Sequence, residues 1–488
     1  MTGAPGPRRP TGPTAPRFGY GTNGFADHRL RDAIAVIADL GYAGVALTLD
    51  HGHLDPFAAD LPRRLDAVRS ELDGRDLGVV VETGARYLLD PRRKHHPTLV
   101  STSEEDRAVR VDLLRRAVRI AADLGAECVS FWSGVLPRGT DEATAWRRLQ
   151  DGVSQVLDEA SRLGVPLGME PEPGMFVDRL DGVIDLRARL GEPDLLRVTL
   201  DLGHCVGFES DSVAECVRRA GPLLVNVQLD DMLPGVHEHL EFGDGVLDLP
   251  DAIGALVDVG YRGLAAVELP RHSHAAPDVA ARSIVALRGG AWTADALRRV
   301  RGTPSAIRTL FPAAGRHCGR GPLRPAVDPA GVVHGTTDDA ARVRLLAALG
   351  GDAATEIADL YRYGDDAEKR GVLRGLSTVD GRLPVEAGLE LVRDALRSND
   401  TRLVAAALGP YAAAHLDQHG WRHGVLKCLF VGVPLAAVAG LDDRADAELL
   451  RMVADFAAER RAAGRAVPSD AERLLADQAE PAEPGGTS

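Results

Sequence analysis

The chain has 488 residues, 45% of them hydrophobic, and a formal charge of -14; it is too long for one ordinary domain and points to two or three. The acidic balance makes it a poor general binder of nucleic acid or of an anionic membrane. Its five cysteines, Cys128, Cys205, Cys216, Cys318 and Cys428, are scattered, which argues against a disulfide framework or a cysteine zinc cluster and for a reduced, cytoplasmic setting.

Residues 1–17, MTGAPGPRRPTGPTAPR, are rich in Pro, Gly and Thr without an apolar core, and the expectation is a disordered tail, not a signal peptide. From 18 to 290 two textures alternate. Eight short runs read as strands: FGYGTNGF (18–25), YAGVALTLD (42–50), LGVVVETGA (77–85), AECVSFWSG (126–134), VPLGMEP (165–171), LRVTLDLGH (196–204), LVNVQLDD (224–231) and GLAAVELPR (263–271). Most are continuous apolar runs, as in strands buried on both faces. Between them, segments such as LLRRAVRIAADLG and LQDGVSQVLDEASRLG repeat apolar residues at three and four and end in a Gly placed as a helix C-cap. Eight strand–helix units in succession predict an α/β fold, a (β/α)8 barrel. Neither GxGxxG after a strand nor GxxxxGK[ST] occurs, so nucleotide-binding fingerprints are absent.

Residues 291–302 are expected to form a linker. From 303 to 478 strand-like alternation is missing and an all-α domain is predicted; 479–488 is a polar, disordered tail. The most apolar stretch, GVLKCLFVGVPLAAVAGL (424–441), is interrupted by Lys427, glycines and Pro434. It falls short of the roughly 20 apolar residues of a membrane span and reads as a buried helix pair. His415, His419 and His423 are spaced by four and could share a helix face.

Active residues of such barrels project from the C-terminal strand ends. Strand five ends in Glu170, with Glu172 two further on; strand six ends in Asp201, followed by His204; strand seven carries Gln228 and Asp230; strand eight ends in Glu268. Three acids meeting at one mouth repel, and a divalent cation that uses their oxygens relieves this. The segment HEHLEFGDG (237–245) adds His237 and His239 in the seventh loop. Strand three supplies Glu82 and Arg86, with a basic cluster at Arg92, Arg93, Lys94, His95 and His96 that could receive a phosphate or carboxylate. Trp132 could stack on a sugar ring, and Arg271 extends the polar rim.

Glu at strand five, LDLGH at strand six, a polar residue before an Asp at strand seven and VEL at strand eight resemble the sugar phosphate isomerase/epimerase family, the xylose-isomerase-like barrels related to endonuclease IV. The resemblance spans about 18–290. It implies a divalent metal held by Glu170, Asp201, position 228 and Glu268. Here Gln228 stands where His is usual. An all-oxygen shell favours Mn or Mg over Co or Zn, and His239, at the position of a metal-binding histidine in endonuclease IV-like members, is a further candidate ligand. His204, His237, Glu82, Arg86, Trp132 and Arg271 would contact substrate. The implied chemistry is isomerisation or epimerisation of a sugar, sugar phosphate or polyol by enediolate-type proton transfer, with Glu170 and Glu268 exchanging the proton.

In the helical region, FPAAGRHCGRGPL and NDTRLVAAALGPYAAAHLDQHGWRHGVLKCLF resemble the EboA domain of the Ebo gene clusters linked to metabolite traffic. That likeness implies association with Ebo-type metabolite biosynthesis and admits partner proteins of such a cluster, or a homo-oligomer. Two other readings compete. One is a non-catalytic metabolite-binding barrel. The other is an endonuclease IV-like phosphoesterase, for which Thr48, Asp50, His51, Glu82 and Ser133 are a poor trinuclear ligand set.

Overall fold

The computed structural model describes residues 16–84, 86–351 and 353–477. The expected tails at 1–17 and 479–488 lie outside them, apart from residues 16 and 17; Arg17 opens the first strand. The chain divides into two compact units, 1–291 and 292–488.

In the first unit, eight parallel strands close into a barrel. They are β1 (Arg17–Gly21), β2 (Gly44–Thr48), β3 (Gly78–Glu82), β4 (Val129–Phe131), β5 (Leu167–Met169), β6 (Leu196–Asp201), β7 (Leu224–Leu229) and the eighth barrel strand β10 (Leu264–Val267), which pairs with β1. Between β7 and β10 a hairpin intervenes, β8 (Asp231–Leu233) and β9 (Val236–Leu240). All eight predicted strands form, each shorter than its apolar run. The end of the first run becomes a 3-10 turn, Thr22–Phe25, and LGH of the sixth becomes the start of helix Leu202–Phe208.

Side chains alternate along a strand with period two, and this grades the barrel from apolar to polar. Ala46, Val80, Cys128, Leu264 and Ala266 pack as one cluster. Two residues on from the first three and from Ala266 come Thr48, Glu82, Ser130 and Glu268, all lining a cavity. Gly168 makes room inside: a Cβ there would lie 2.3 Å from Thr199 Oγ1. The outer helices follow their sequence signals. Ser103 caps Glu104–Leu124 and Asp141 caps Glu142–Leu163, through the amides of Asp106 and Thr144. Both helices end at a left-handed glycine, Gly125 and Gly164, a conformation that costs glycine little.

The second unit is helical, from Trp292 onward. The linker expected at 291–302 is instead the second part of helix Ala276–Gly302. That stretch holds no proline before Pro304, and its Ala296, Leu297 and Val300 are buried at helical spacing. The core of the unit gathers Trp421, Ile357, Val404, Val425 and Leu449. Residues 424–441 form one helix ending at Val431 and a following 3-10 turn, Leu435–Ala437, not a helix pair, because Gly432 adopts φ 83° and Pro434 cannot continue the helix. The three spaced histidines do not share one helix. His415 ends Pro410–His415 and bonds Asp380 at 2.9 Å, while His419 and His423 lie on Gln418–Val431, which Asp417 starts by capping Gly420. Among the described residues no helix is long and apolar enough to cross a membrane.

Candidate active site

The C-terminal ends of the barrel strands open into a cavity of about 760 Å³. Glu82, Arg86, Trp132, Glu170, Gln228, His237, His239, Glu268 and Arg271 all line it. Asp201 and His204 are buried beside it. His204 Nδ1 lies 3.8 Å from Glu170 Oε1 and 3.9 Å from Glu172 Oε2. The sites named from the sequence thus fall in one place, and Lys94 and His95 of the basic cluster join them.

The stretch after β7 is the β8–β9 hairpin and its return, where the sequence suggested an open loop. Pro234-Gly235 makes the two-residue turn, with Gly235 at φ 73°. One carboxylate ties the segment together. Asp231 accepts the backbone amides of Met232 (2.9 Å), Gly243 (2.8 Å), Gly245 (3.0 Å) and Leu247 (2.7 Å). Residue 245 must be glycine for this approach, since a Cβ would lie 2.3 Å from Asp231 Oδ1. His237 and His239, two apart on β9, both border the cavity. His237 Nε2 is 3.1 Å from His204 Nε2 and 3.8 Å from Glu172 Oε1.

Four relationships escaped the sequence reading. Asn23 donates to Glu268 at 2.8 Å and Asn226 donates to Glu82 at 3.0 Å. Asp230 pairs with His239 at 2.7 Å, and its other oxygen accepts the amide of Gly203. Glu172 stands between His204 and His237. The period-two series Asn226, Gln228, Asp230 was the available signal for two of them; nothing local marked Asn23.

Burial and mutual repulsion govern the charges. Burial pushes Glu170 well above the usual carboxylate range, helped by Glu172 and Glu268. Burial beside Glu268 raises Glu172 to about 8, and burial with Glu268 nearby raises Glu82 to about 8 despite the Asn226 bond. Burial raises Glu268, although His239 opposes it. Burial also resists the charge on Asp201, but His204 and His239 outweigh it and hold its pKa down. His239 is raised to about 10: burial opposes protonation, and the Asp230 carboxylate overcomes it. Burial lowers His204 to about 4 and also lowers His237, so one of these neutral rings donates to the other.

The residues fit a divalent cation. Three sets have ligand atoms within 4.8 Å of one another: His204, His237 and His239; Glu170, Glu172 and His204; Asp201, His239 and Glu268. Asp201 Oδ2, Gln228 Oε1 and His204 Nδ1 are buried without a hydrogen-bond partner, a costly state unless something binds them. Carboxylate, amide and imidazole donors suit a hard or borderline ion.

Comparison with known proteins gives two family matches, Xylose isomerase-like TIM barrel over residues 34–289 and Metabolite traffic protein EboA over 334–476. Curated relatives include L-ribulose-5-phosphate 3-epimerase UlaE of Shigella flexneri serotype 5b (strain 8401), 28% identical over 215 residues, covering 43% of this chain and 73% of the relative. The protein of the same name from Salmonella paratyphi C (strain RKS4594) is 26% identical over 198 residues, covering 40% and 68%. Among solved structures, an L-ribulose 3-epimerase aligns at 18% identity and TM-score 0.45, covering 60% of this chain and 96% of that one. Protein SMc04130 of Sinorhizobium meliloti 1021 aligns at 22% identity and TM-score 0.45, covering 55% and 96%.

Proposed function

This chain belongs to the xylose isomerase-like TIM barrel family and carries an EboA domain, and we propose that its barrel is a divalent-metal-dependent epimerase or isomerase of a ketose or related polyol. One observation carries the reading: Glu170, Asp201 and Glu268, from three strand ends, are gathered in one mouth with no Lys or Arg paired to them among the described residues. The ion would be held by Asp201 and Glu268 with Glu170, by the amide of Gln228, and by the His239 imidazole. A bound ion supplies Lewis acidity toward a sugar carbonyl, which makes the neighbouring C–H acidic.

Glu170 and Glu268 carry the proton. One carboxylate takes it from the carbon beside the carbonyl, breaking C–H and forming O–H; the other carboxyl returns a proton to the opposite face, which inverts the centre. Return to the neighbouring carbon would isomerise instead. Burial raises the pKa of both carboxyls, which makes each better able to hold a proton. Asn23 orients Glu268, and His204 and His237 border the bound sugar. An imidazole in the shell widens the ion preference from Mn and Mg toward Co and Zn. The EboA domain supports a role in making or modifying a polyol-derived metabolite, together with partner proteins of such a cluster.

The test is elemental analysis of the purified chain, followed by a panel of ketoses in deuterated water. One ion per chain and solvent deuterium at the carbon next to the carbonyl are expected. A chain that binds no ion after incubation with Mn, Mg, Co or Zn would return the barrel to a metabolite-binding role.

A further inference from the structure

The helical unit holds a cavity of its own, of about 210 Å³. Its walls are small and apolar. Ala405 and Ala406 come from helix Thr401–Ala407, Pro410 opens the next helix, and Ala437 and Val438 come from the 3-10 turn Leu435–Ala437 and its exit. Val333, in the loop before helix Thr337–Ala347, joins them. Among the described residues of the lining, Arg374 alone brings a charge or a side-chain hydrogen-bond donor.

Arg374, on helix Asp366–Gly375, is held in place. Its terminal nitrogens donate to the carbonyls of Val333 (3.2 Å) and Val332 (2.8 Å). Asp328 fixes the loop that carries those carbonyls by accepting the amides of Val332 (2.9 Å) and His334 (2.7 Å). Gly335, at φ 84°, lets the backbone pass close to the guanidinium, since a Cβ there would lie 3.0 Å from Arg374 Nε. A guanidinium has five N–H donors, and two carbonyls leave three of them. Asp339 Oδ2 stands 3.4 Å from Nε, but that carboxylate is engaged elsewhere. It accepts Arg370 Nε with both oxygens (2.8 and 2.7 Å) and the Thr336 amide at 3.1 Å, and Arg374 Nε is buried without a hydrogen bond. A half-buried guanidinium with spare donors, on the wall of a small cavity, is an anchor for an anion. The walls select the anion. A phosphate needs donors to several oxygens, and this lining offers one side chain; alanine, valine and proline favour an alkyl body.

We infer that this cavity binds a small aliphatic carboxylate, its carboxylate paired with Arg374 and its alkyl chain against Ala405, Ala406 and Val438. At roughly 30 Å³ per water the cavity has the room of about seven waters, enough for a chain of about four carbons.

The experiment is calorimetric titration of the full chain with butyrate, 1-butanol and inorganic phosphate, on the parent and on two variants. Butyrate is expected to bind at least about 10-fold more tightly than 1-butanol or phosphate, the scale of one charge-assisted contact. Arg374→Gln should remove its advantage over 1-butanol. That substitution also loosens the loop at Val332 and Val333, so Ala437→Leu is the second variant. It keeps the guanidinium and fills the cavity, and it should weaken butyrate by a similar factor while the far-UV circular dichroism stays the same. Butyrate affinity unchanged in both variants, 1-butanol binding as tightly as butyrate, or phosphate binding more tightly than butyrate would each overturn the assignment.

Discussion

His239 Nδ1 lies 2.7 Å from Asp230 Oδ2, and Asp230 has no exposed surface. The carboxylate stands as an ion-pair partner against Nδ1 and leaves Nε2 as the ring nitrogen free of it. A carboxylate behind a histidine in this way fixes the ring and raises its basicity toward a metal. Gln228, where the sequence suggested the third ligand, offers only a neutral amide oxygen. His239→Ala should therefore weaken Mn or Co binding more than Gln228→Ala does. Asp230→Asn should weaken it by roughly 10–100-fold. Calorimetric titration of the three variants checks this, and equal affinities for His239→Ala and the parent chain would remove His239 from the shell.

The two proton-carrying carboxylates can be separated from folding. Glu170→Gln and Glu268→Gln keep the size of the side chain and remove a buried ionisable group. Turnover is expected to fall by about 10²–10⁴-fold, with the melting temperature unchanged or raised. Steady-state kinetics and thermal unfolding on the same preparations measure both, and full activity in either variant would exclude it from proton transfer.

The acids also set a pH dependence. Glu82 and Glu172 titrate near 8 in the folded chain against 4.5 for an unperturbed carboxyl. Between those values the folded chain holds more protons than the unfolded one, so stability is greatest below about 4.5 with respect to these groups and is lost as pH rises toward 8. A cation held in the same mouth is attracted to these two carboxylates once they ionise, although neither is placed in its shell, so affinity should rise over the same interval. Melting curves from pH 5 to 8.5, with chelator and with Mn, should converge at the acid end and separate at the alkaline end. Parallel curves would show that these acids do not answer to the ion.

Asp231 organises the hairpin return by accepting four amides. Asp231→Asn loses charge-assisted bonds worth about 1.5–3 kcal/mol each at most, and the amide cannot serve all four donors. Amide exchange at Gly243, Gly245 and Leu247 should accelerate well before global unfolding does. Unchanged protection at those three positions would contradict the assignment.

The helical unit has its own vulnerable point. Arg342, with no exposed surface, bonds Asp338 at 2.6 Å, and Arg370 grips Asp339 at 2.7 and 2.8 Å. Arg342→Ala leaves Asp338 with only the Thr336 hydroxyl at 2.6 Å and Arg370 at 3.9 Å, and should cost up to about 3–5 kcal/mol. Urea unfolding followed by circular dichroism tests it, and Arg342→Met with Asp338→Leu should recover part of the loss.

Local pattern was enough to place the eight strands, because a strand covered on both faces has to be apolar along its length. It also placed the acids at the strand ends, because polar residues that interrupt such runs must sit where the barrel opens. It could not show that Asn23, near the start of the chain, meets Glu268, nor that Asn226 reaches Glu82, since those contacts depend on closure of the sheet across 245 and 144 residues. The helix through 291–302 was missed because its proline lies just beyond it, so the Pro/Gly texture was assigned a few residues early. The hairpin was hidden because its strands are short and polar; tertiary contacts to Asp231, not propensity, hold it. The sequence by itself determined the barrel and which side chains reach its mouth, through periodicity. Only the tertiary structure decided which of those groups are paired and which are left unsatisfied, because burial and through-space contact set the charges, and neither follows from spacing along the chain.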